Sequence, residues 1–141
     1  MKNKSRLILL LALLAGFWSQ AQTTQAPAKD NLLFLLRQTE HINQAIKTLE
    51  QLQTGASNQL HTGHAVIIVC GQAVKSLTTG EAKGWMQRIS RIPGAELMAC
   101  GLSLNKFEMK KQDLVPGVTY TPNGLIKAFE LQKQGYLSVE L

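Results

Sequence analysis

The sequence predicts a single α/β domain in which helices cover both faces of a parallel sheet. Short apolar runs alternate with amphipathic stretches along the chain, and no pair of runs is joined by a hairpin signal. The 141 residues are about one domain's worth of chain, and a hydrophobic fraction of 45% is enough for a buried core. These observations exclude a disordered polyelectrolyte and a small scaffold held together by disulfides, because charged residues are 17% and cysteines number two.

The first apolar run, Leu32–Leu36, is open to two interpretations. It is short and continuous, as in a buried strand, and it precedes a helical pattern that ends before Gly55. The leucines also fit the phase of that pattern, so one long helix over Asn31–Gln53 is the alternative. Periodicity alone does not decide between them.

The clearest strand is Ala65–Cys70, which is β-branched, continuous and bounded by glycines. The other elements follow from apolar spacing and from the Gly and Pro residues between them. We predict helices over 82–92, 103–110 and 123–134, and strands over 96–100, 118–120 and 136–139.

The N-terminus has the pattern of a secretory signal peptide. Lys2, Lys4 and Arg6 precede twelve apolar residues, and Ser19 and Ala21 place small side chains before a cleavage point. The run is shorter than the roughly 20 residues that span a bilayer. We therefore expect a signal peptide over residues 1–21, a disordered lead-in over 22–30, and a folded domain over 31–141. The expected location is exported, either periplasmic or secreted.

The net charge of +6 falls to +3 without the leader, since three of the 15 basic residues lie in it (12 − 9 = +3). The remaining basic residues are scattered, and nucleic-acid binding requires a concentrated basic face. We expect no nucleic-acid partner, and no membrane association after the leader is removed. The sequence contains no phosphate-binding loop, no serine nucleophile elbow and no paired carboxylates at useful spacing.

Ligands of open parallel sheets bind beyond the carboxyl ends of the strands, where both cysteines fall. Cys100 precedes Gly101 and a predicted helix, whose N-terminus would stabilise a thiolate. Such a thiolate attacks sulfane donors and holds the sulfur as a persulfide. The alternative is a small buried hydrophobe, which the residues alone favour modestly for Cys100 and clearly for Cys70.

A disulfide between the two cysteines is a minority interpretation. An exported protein meets an oxidising environment. However, the ends of non-adjacent strands lie roughly 9–10 Å apart, whereas a bridge needs Cα atoms within about 7 Å.

The histidines carry weaker hypotheses. His61 and His64 are spaced like metal ligands in a predicted loop, but two ligands do not make a site, so we expect no metal. His41 follows the first apolar run near the functional edge and is a candidate base or orienter for a thiol; a surface histidine is the default interpretation.

Several segments together resemble the DsrE/DsrF-like sulfur-relay family. They are the run from Val66 to Leu77, the cysteine that ends Leu97–Cys100, the turn Asp113–Val118, and the ending Leu131–Tyr136. Each motif is weak, but their order and spacing are fairly specific, and they cover roughly residues 31–141. The chain departs from the family pattern in having a leader and in having a cysteine at position 70.

The resemblance implies a five-stranded, mainly parallel sheet that begins with a strand, and assembly into trimers or hexamers. It places Cys100 at the position of the sulfur-carrying cysteine. Around that cysteine, we expect Gly101 and the helix after it to supply backbone N–H groups, and His41 or Gln72 to line the pocket. The expected function is acceptance or relay of sulfane sulfur, or thiol redox chemistry, at Cys100, without a cofactor. Partners would be a sulfur donor or acceptor protein, or a small sulfur species. The alternative is a non-catalytic homo-oligomeric binding or assembly module in which Cys100 is structural.

Overall fold

A computed structural model describes residues 28–141 of the chain. The expected leader and most of the expected lead-in lie outside these residues. Asp30, assigned to the lead-in, is already the first residue of a strand. Among the described residues, no helix has both the length and the apolar character needed to cross a bilayer.

The fold is a three-layer α/β domain around a five-stranded sheet. The strands are β1 (Asp30–Leu36), β2 (Thr62–Val69), β3 (Ala95–Cys100), β4 (Thr119–Thr121) and β5 (Leu137–Glu140). Their order across the sheet is β4-β3-β2-β1-β5, and every neighbouring pair is parallel. The predicted α/β class is confirmed, and the first apolar run is a strand rather than part of a long helix.

Four helices and one long 3₁₀ segment connect the strands. The helices are α1 (Thr39–Gln53), α2 (Gly80–Ile89), α3 (Gly101–Lys106) and α4 (Gly124–Lys133), and the 3₁₀ segment is Gly71–Thr78. This last segment was not predicted. Its buried Ala73, Val74 and Leu77 have the spacing of an ordinary helix face, and such spacing does not reveal the tighter hydrogen-bonding pattern.

The two faces of the sheet are covered unequally, because alternate residues of each strand point to opposite sides. On one face α1, α2, α3 and the 3₁₀ segment enclose the larger core, which contains Leu36, Ile67 and Leu97. On the other face a single helix, α4, packs through Ala128 and Leu131. The site described below lies on this second, more thinly covered face.

Strand β2 begins three residues earlier than predicted. The Asp30 and Asn31 side chains accept hydrogen bonds from the backbone N–H groups of His61 and His64, both at 2.9 Å. These bonds extend the pairing of β1 and β2 to Thr62. His64 therefore lies in a strand, which corrects the prediction of a loop.

Candidate functional site

The two cysteines lie side by side at the carboxyl ends of neighbouring strands. Val69 of β2 pairs with Ala99 of β3, and the residues that follow this pair are Cys70 and Cys100. Neighbouring strands are about 4.8 Å apart. Because β2 and β3 are adjacent, the expectation that the cysteines end non-adjacent strands is wrong. Strand order, which decides this, has no local signature in the sequence.

Both side chains point to the face covered by α4, where they belong to one apolar cluster with Ile68 and Met98. Both are free thiols. Cys70 is 7% exposed and Cys100 is 3% exposed. Cys100 lies at the carboxyl end of its strand, as expected, but its thiol is not open to a ligand there, because the start of α4 covers it.

The start of α4 faces the Cys100 sulfur. The backbone N–H of Gly124, the first residue of the helix, donates a hydrogen bond to Sγ of Cys100 over 3.3 Å. The Asn123 side chain caps the same turn by accepting from the N–H groups of Leu125 and Ile126. The expected donor was the helix that follows Cys100 directly. The structure adds a second helix, which arrives from β4.

Gly124 also provides the space that the sulfurs occupy. A Cβ at this position would lie 2.8 Å from Cys70 Sγ, 2.9 Å from Ile68 Cγ2 and 3.1 Å from the Cys100 Cβ. Any side chain here would displace the thiols or the helix. The close packing of the two cysteines against α4 therefore requires a glycine at the start of this helix.

Ser103 contacts the pair from the other side, through the first turn of α3. Its hydroxyl oxygen accepts a 2.8 Å hydrogen bond from the backbone N–H of Gly71, directly after Cys70. Its backbone N–H and its hydroxyl also lower the pKa of the Cys100 thiol. One serine therefore connects the residue after β2 to the thiol that ends β3.

These contacts make the two thiols electrostatically unequal. Burial raises the pKa of Cys70 to about 12, and the neighbouring Cys100 sulfur adds to the rise. Burial also raises the pKa of Cys100, but hydrogen bonds from Gly124, Ser103 and Cys70 outweigh it and hold this pKa below the ordinary value of 9.0. Of the two thiols, Cys100 is therefore the one that ionises more readily, and Cys70 stays protonated at neutral pH.

Gly101 has a structural role beside the thiol. A Cβ there would lie 2.6 Å from the Tyr120 hydroxyl and 2.8 Å from the Pro122 carbonyl oxygen. That same carbonyl accepts a hydrogen bond from Leu102. Gly101 thus allows Tyr120 of β4 and the turn before α4 to approach the residue next to Cys100 closely.

The other two candidate binding residues lie elsewhere. Gln72 is exposed, on the 3₁₀ segment that packs on the opposite face of the sheet. His41 lies in the first turn of α1, also on that opposite face, and within the described chain its buried Nδ1 has no hydrogen-bond partner. Neither residue is among the groups that shift the pKa of the two thiols.

A groove of about 360 Å³ lies next to the thiol pair, between α4 and the β4 edge of the sheet. Thr121, which pairs with Cys100, lines it together with Pro122 and Asn123. Met98 lines it as well, two residues before Cys100 on the same face of β3. The segment that covers the sulfur therefore also forms a wall of an open groove.

A larger cavity of about 700 Å³ lies at the opposite end of the sheet. Lys29, His61 and Thr62 line it, near the amino ends of β1 and β2. No group of three potential ligands that would suit a metal ion occurs among residues 28–141.

Sequence reasoning did not identify Ser103 and Gly124 as site residues. A serine three positions after a cysteine at a strand end places a hydroxyl in the first helical turn, which is a local signal. The pair Asn123-Gly124 is a local signal for the start of a helix. Neither indicates which strand end the helix returns to.

No protein-family model matches the chain, and no curated protein sequence matches it either. The solved structures that share its fold include two proteins of unknown function. MTH1491 from Methanobacterium thermoautotrophicum, a protein of unknown function, has a TM-score of 0.66 at 16% identity and covers 81% of this chain and 100% of its own. BT1422 from Bacteroides thetaiotaomicron, a conserved protein of unknown function, has a TM-score of 0.60 at 19% identity over 79% of this chain and 95% of its own. At these identities the likeness shows the fold alone.

Proposed function

We propose that the chain is an exported DsrE-like protein whose Cys100 accepts sulfane sulfur as a persulfide. The observation that carries the proposal is the hydrogen bond that the backbone N–H of Gly124 donates to the Cys100 sulfur, and Ser103 and Cys70 also lower the pKa of this thiol. They favour the thiolate, which is the reactive form of cysteine. The sulfur-carrying position that the family resemblance implies for Cys100 supports the same residue.

The proposed reaction is an attack of the Cys100 thiolate on the terminal sulfur of a polysulfide chain. The new bond joins that sulfur to Sγ, the adjacent S–S bond breaks, and the shortened polysulfide leaves with the electron pair. The persulfide then carries the negative charge on its outer sulfur, while the site's N–H donors stay on Sγ. No cofactor takes part.

Access to the buried sulfur follows from the adjoining groove. Cys100 is 3% exposed, so a donor reaches it only when the segment from Thr121 to Gly124 moves aside. That segment already lines the open groove between α4 and β4. A small inorganic sulfur species fits such a route, and so does the terminal sulfur of a donor protein.

The test is to incubate the purified protein with polysulfide and to measure its intact mass under non-reducing conditions. We expect an added sulfur atom in the wild type and none in Cys100→Ser. Cys70→Ser is the matched control, because it removes the other thiol and leaves the expected acceptor. Equal sulfur addition to wild type and Cys100→Ser would refute the proposal.

Ser103→Ala tests the same site by changing the pKa of Cys100, whereas the previous experiment measures the sulfur that the protein takes up. Loss of the hydroxyl removes a hydrogen bond to the Cys100 thiolate, so the pKa of this thiol rises. The pH profile of Cys100 alkylation, followed by peptide mass spectrometry, should shift to higher pH. Thr48→Ala is the control, since that hydroxyl hydrogen-bonds within α1, away from the site.

A second function is favoured by two other observations. Both thiols are buried, and α4 exposes Leu125, Ile126 and Phe129, which we call the α4 apolar face. A trimer or hexamer that buries this face, with Cys100 as packing, would be a non-catalytic binding or assembly module. Phe129, 69% exposed, is the residue to change. This function predicts that Phe129→Glu lowers the mass measured by light scattering, and that Cys100→Ala costs only stability.

A further inference from the structure

The geometry points to a second chemical role for the pair, which does not depend on the persulfide proposal. We infer that Cys70 and Cys100 form a reversible intramolecular disulfide by exchange with a small disulfide. Cys100 reacts first, and Cys70 displaces the bound group.

The first support is the register of the two strands. Cys70 and Cys100 follow the paired residues Val69 and Ala99, so their Cα atoms occupy neighbouring positions across parallel strands. The strand spacing of about 4.8 Å falls within the Cα separation of about 4.4–6.8 Å at which disulfides form.

The second support is the direction of the side chains. Both belong to the apolar cluster on the α4 face, so both Cβ atoms point to the same side of the sheet. Each thiol also shifts the pKa of the other, raising that of Cys70 and lowering that of Cys100. A Cβ on Gly124 would touch both residues, which places them around one small space.

The third support is the inequality of the two thiols. Exchange needs one sulfur that attacks and a second that resolves. Cys100 has three hydrogen-bonding neighbours that favour its thiolate, whereas burial keeps Cys70 protonated. Once Cys100 is in a mixed disulfide it no longer carries a negative charge beside Cys70. The repulsion that opposes ionisation of Cys70 is then removed, and its deprotonation becomes easier.

The reaction is balanced with a low-molecular-weight disulfide as oxidant. The Cys100 thiolate attacks one sulfur of the disulfide, forms a mixed disulfide and releases one thiolate. Cys70 then loses its proton to solvent and attacks Sγ of Cys100, and the second thiolate leaves. Two protein thiols have been oxidised to one disulfide, and the small disulfide has been reduced to two thiols.

The experiment uses glutathione disulfide and the purified wild-type protein. After incubation, acid quenching and intact mass spectrometry, we expect the mass to fall by two hydrogen atoms with no glutathione retained. A peptide digest without reductant should contain the segments around Cys70 and Cys100 joined together. Dithiothreitol should restore the original mass.

Single-cysteine variants separate the two roles. Cys70→Ser should stop at the mixed disulfide and keep one glutathione on Cys100. Cys100→Ser should react at least about tenfold more slowly, because its remaining thiol is protonated at neutral pH. Far-ultraviolet circular dichroism establishes that each variant is folded.

Two results would overturn the inference, and both are read on the wild type. One is that both thiols stay free, or that a glutathione persists, after prolonged incubation. The other is that the only disulfide formed joins two chains, as a non-reducing gel would show. Failure of the polysulfide test with success here would remove the persulfide function and leave the disulfide intact.

Discussion

At the scale of single residues, the site depends on a glycine that has no side chain as much as on the thiols that react. Gly124 lies within contact of both cysteines, and its N–H reaches the Cys100 sulfur. Cores are packed closely enough that one added methyl group is felt when its neighbours cannot move away. Here the nearest atoms belong to buried side chains on two strands.

Gly124→Ala should therefore lower the free energy of unfolding by about 1–3 kcal/mol. The substitution should also move the backbone N–H of residue 124 away from the Cys100 sulfur, which raises the pKa of Cys100. Urea unfolding measures the first effect, and the pH profile of alkylation measures the second. Gly84→Ala is the matched control: it lies inside α2 with open space around it, so it should gain about 0.5–1 kcal/mol. A loss of stability in both variants would contradict this account.

The raised pKa of Cys70 also predicts how stability depends on pH. The folded pKa is about 12, against 9.0 for the exposed thiol, so between these values the folded state binds the proton that the unfolded state has lost. The free energy of unfolding should then fall as pH rises from 9 to 12, by at most about 1.4 kcal/mol per pH unit. The pKa of Cys100 is shifted in the opposite direction, so its contribution to the free energy of unfolding increases with pH and levels off above the ordinary pKa of 9.0.

Denaturant titrations of reduced wild type and Cys70→Ala across this range provide the measurement. The difference in unfolding free energy between the two proteins should decrease steadily as pH rises from 9 to 12. A constant difference up to pH 12 would show that the folded-state pKa of Cys70 is not raised.

At the scale of secondary-structure elements, the strands were more predictable than their order. Ala65–Cys70 is continuous and β-branched, and a strand buried on both faces needs that composition. The order β4-β3-β2-β1-β5 depends on packing between distant segments. The sequence therefore indicated that both cysteines end strands, but not that the strands are neighbours. The residues alone modestly favoured a buried Cys100, but they did not indicate that α4 covers it, since α4 reaches the thiol only after the chain has passed through β4.

Within residues 28–141, two helices on the larger core are joined by an ion pair with two-point geometry. Arg88 of α2 donates two hydrogen bonds of 2.7 Å to the carboxylate of Glu50 on α1, and it also contacts Asn43. The hydrogen bonds from Arg88 lower the pKa of Glu50 below 4.5. The stabilisation is therefore present at neutral pH and is lost as pH falls through the folded-state pKa of Glu50.

Arg88→Lys should cost up to about 1 kcal/mol, because lysine keeps the charge but lacks the planar fork that binds both carboxylate oxygens. The control is Arg37→Lys, whose partner Glu140 lies 2.9 Å away in a pair with more than half of each side chain exposed. That variant should unfold at an unchanged urea concentration. Equal losses would show that the two-point geometry contributes nothing.

At the scale of the whole molecule, the cysteine pair links the middle of the sheet to its thinly covered face. β2 and β3 are adjacent inner strands, and the helices on one side form the larger core. On the other side α4 alone closes the cluster that holds both sulfurs. A covalent bond there would close one crossover unit, since residues 70 and 100 enclose the 3₁₀ segment, α2 and β3.

The inferred disulfide should accordingly change global stability. Cross-linking a loop of about 30 residues reduces the entropy of the unfolded chain and raises the free energy of unfolding by about 3–4 kcal/mol when the native geometry is unstrained. The wild type oxidised with glutathione disulfide should unfold at a higher urea concentration than the reduced wild type. Cys70→Ala and Cys100→Ala, treated identically, should show no such gain because neither can close the loop. An oxidised protein less stable than the reduced one would mean that the start of α4 has been displaced, since Gly124 packs against both sulfurs and moves first if they must separate from it.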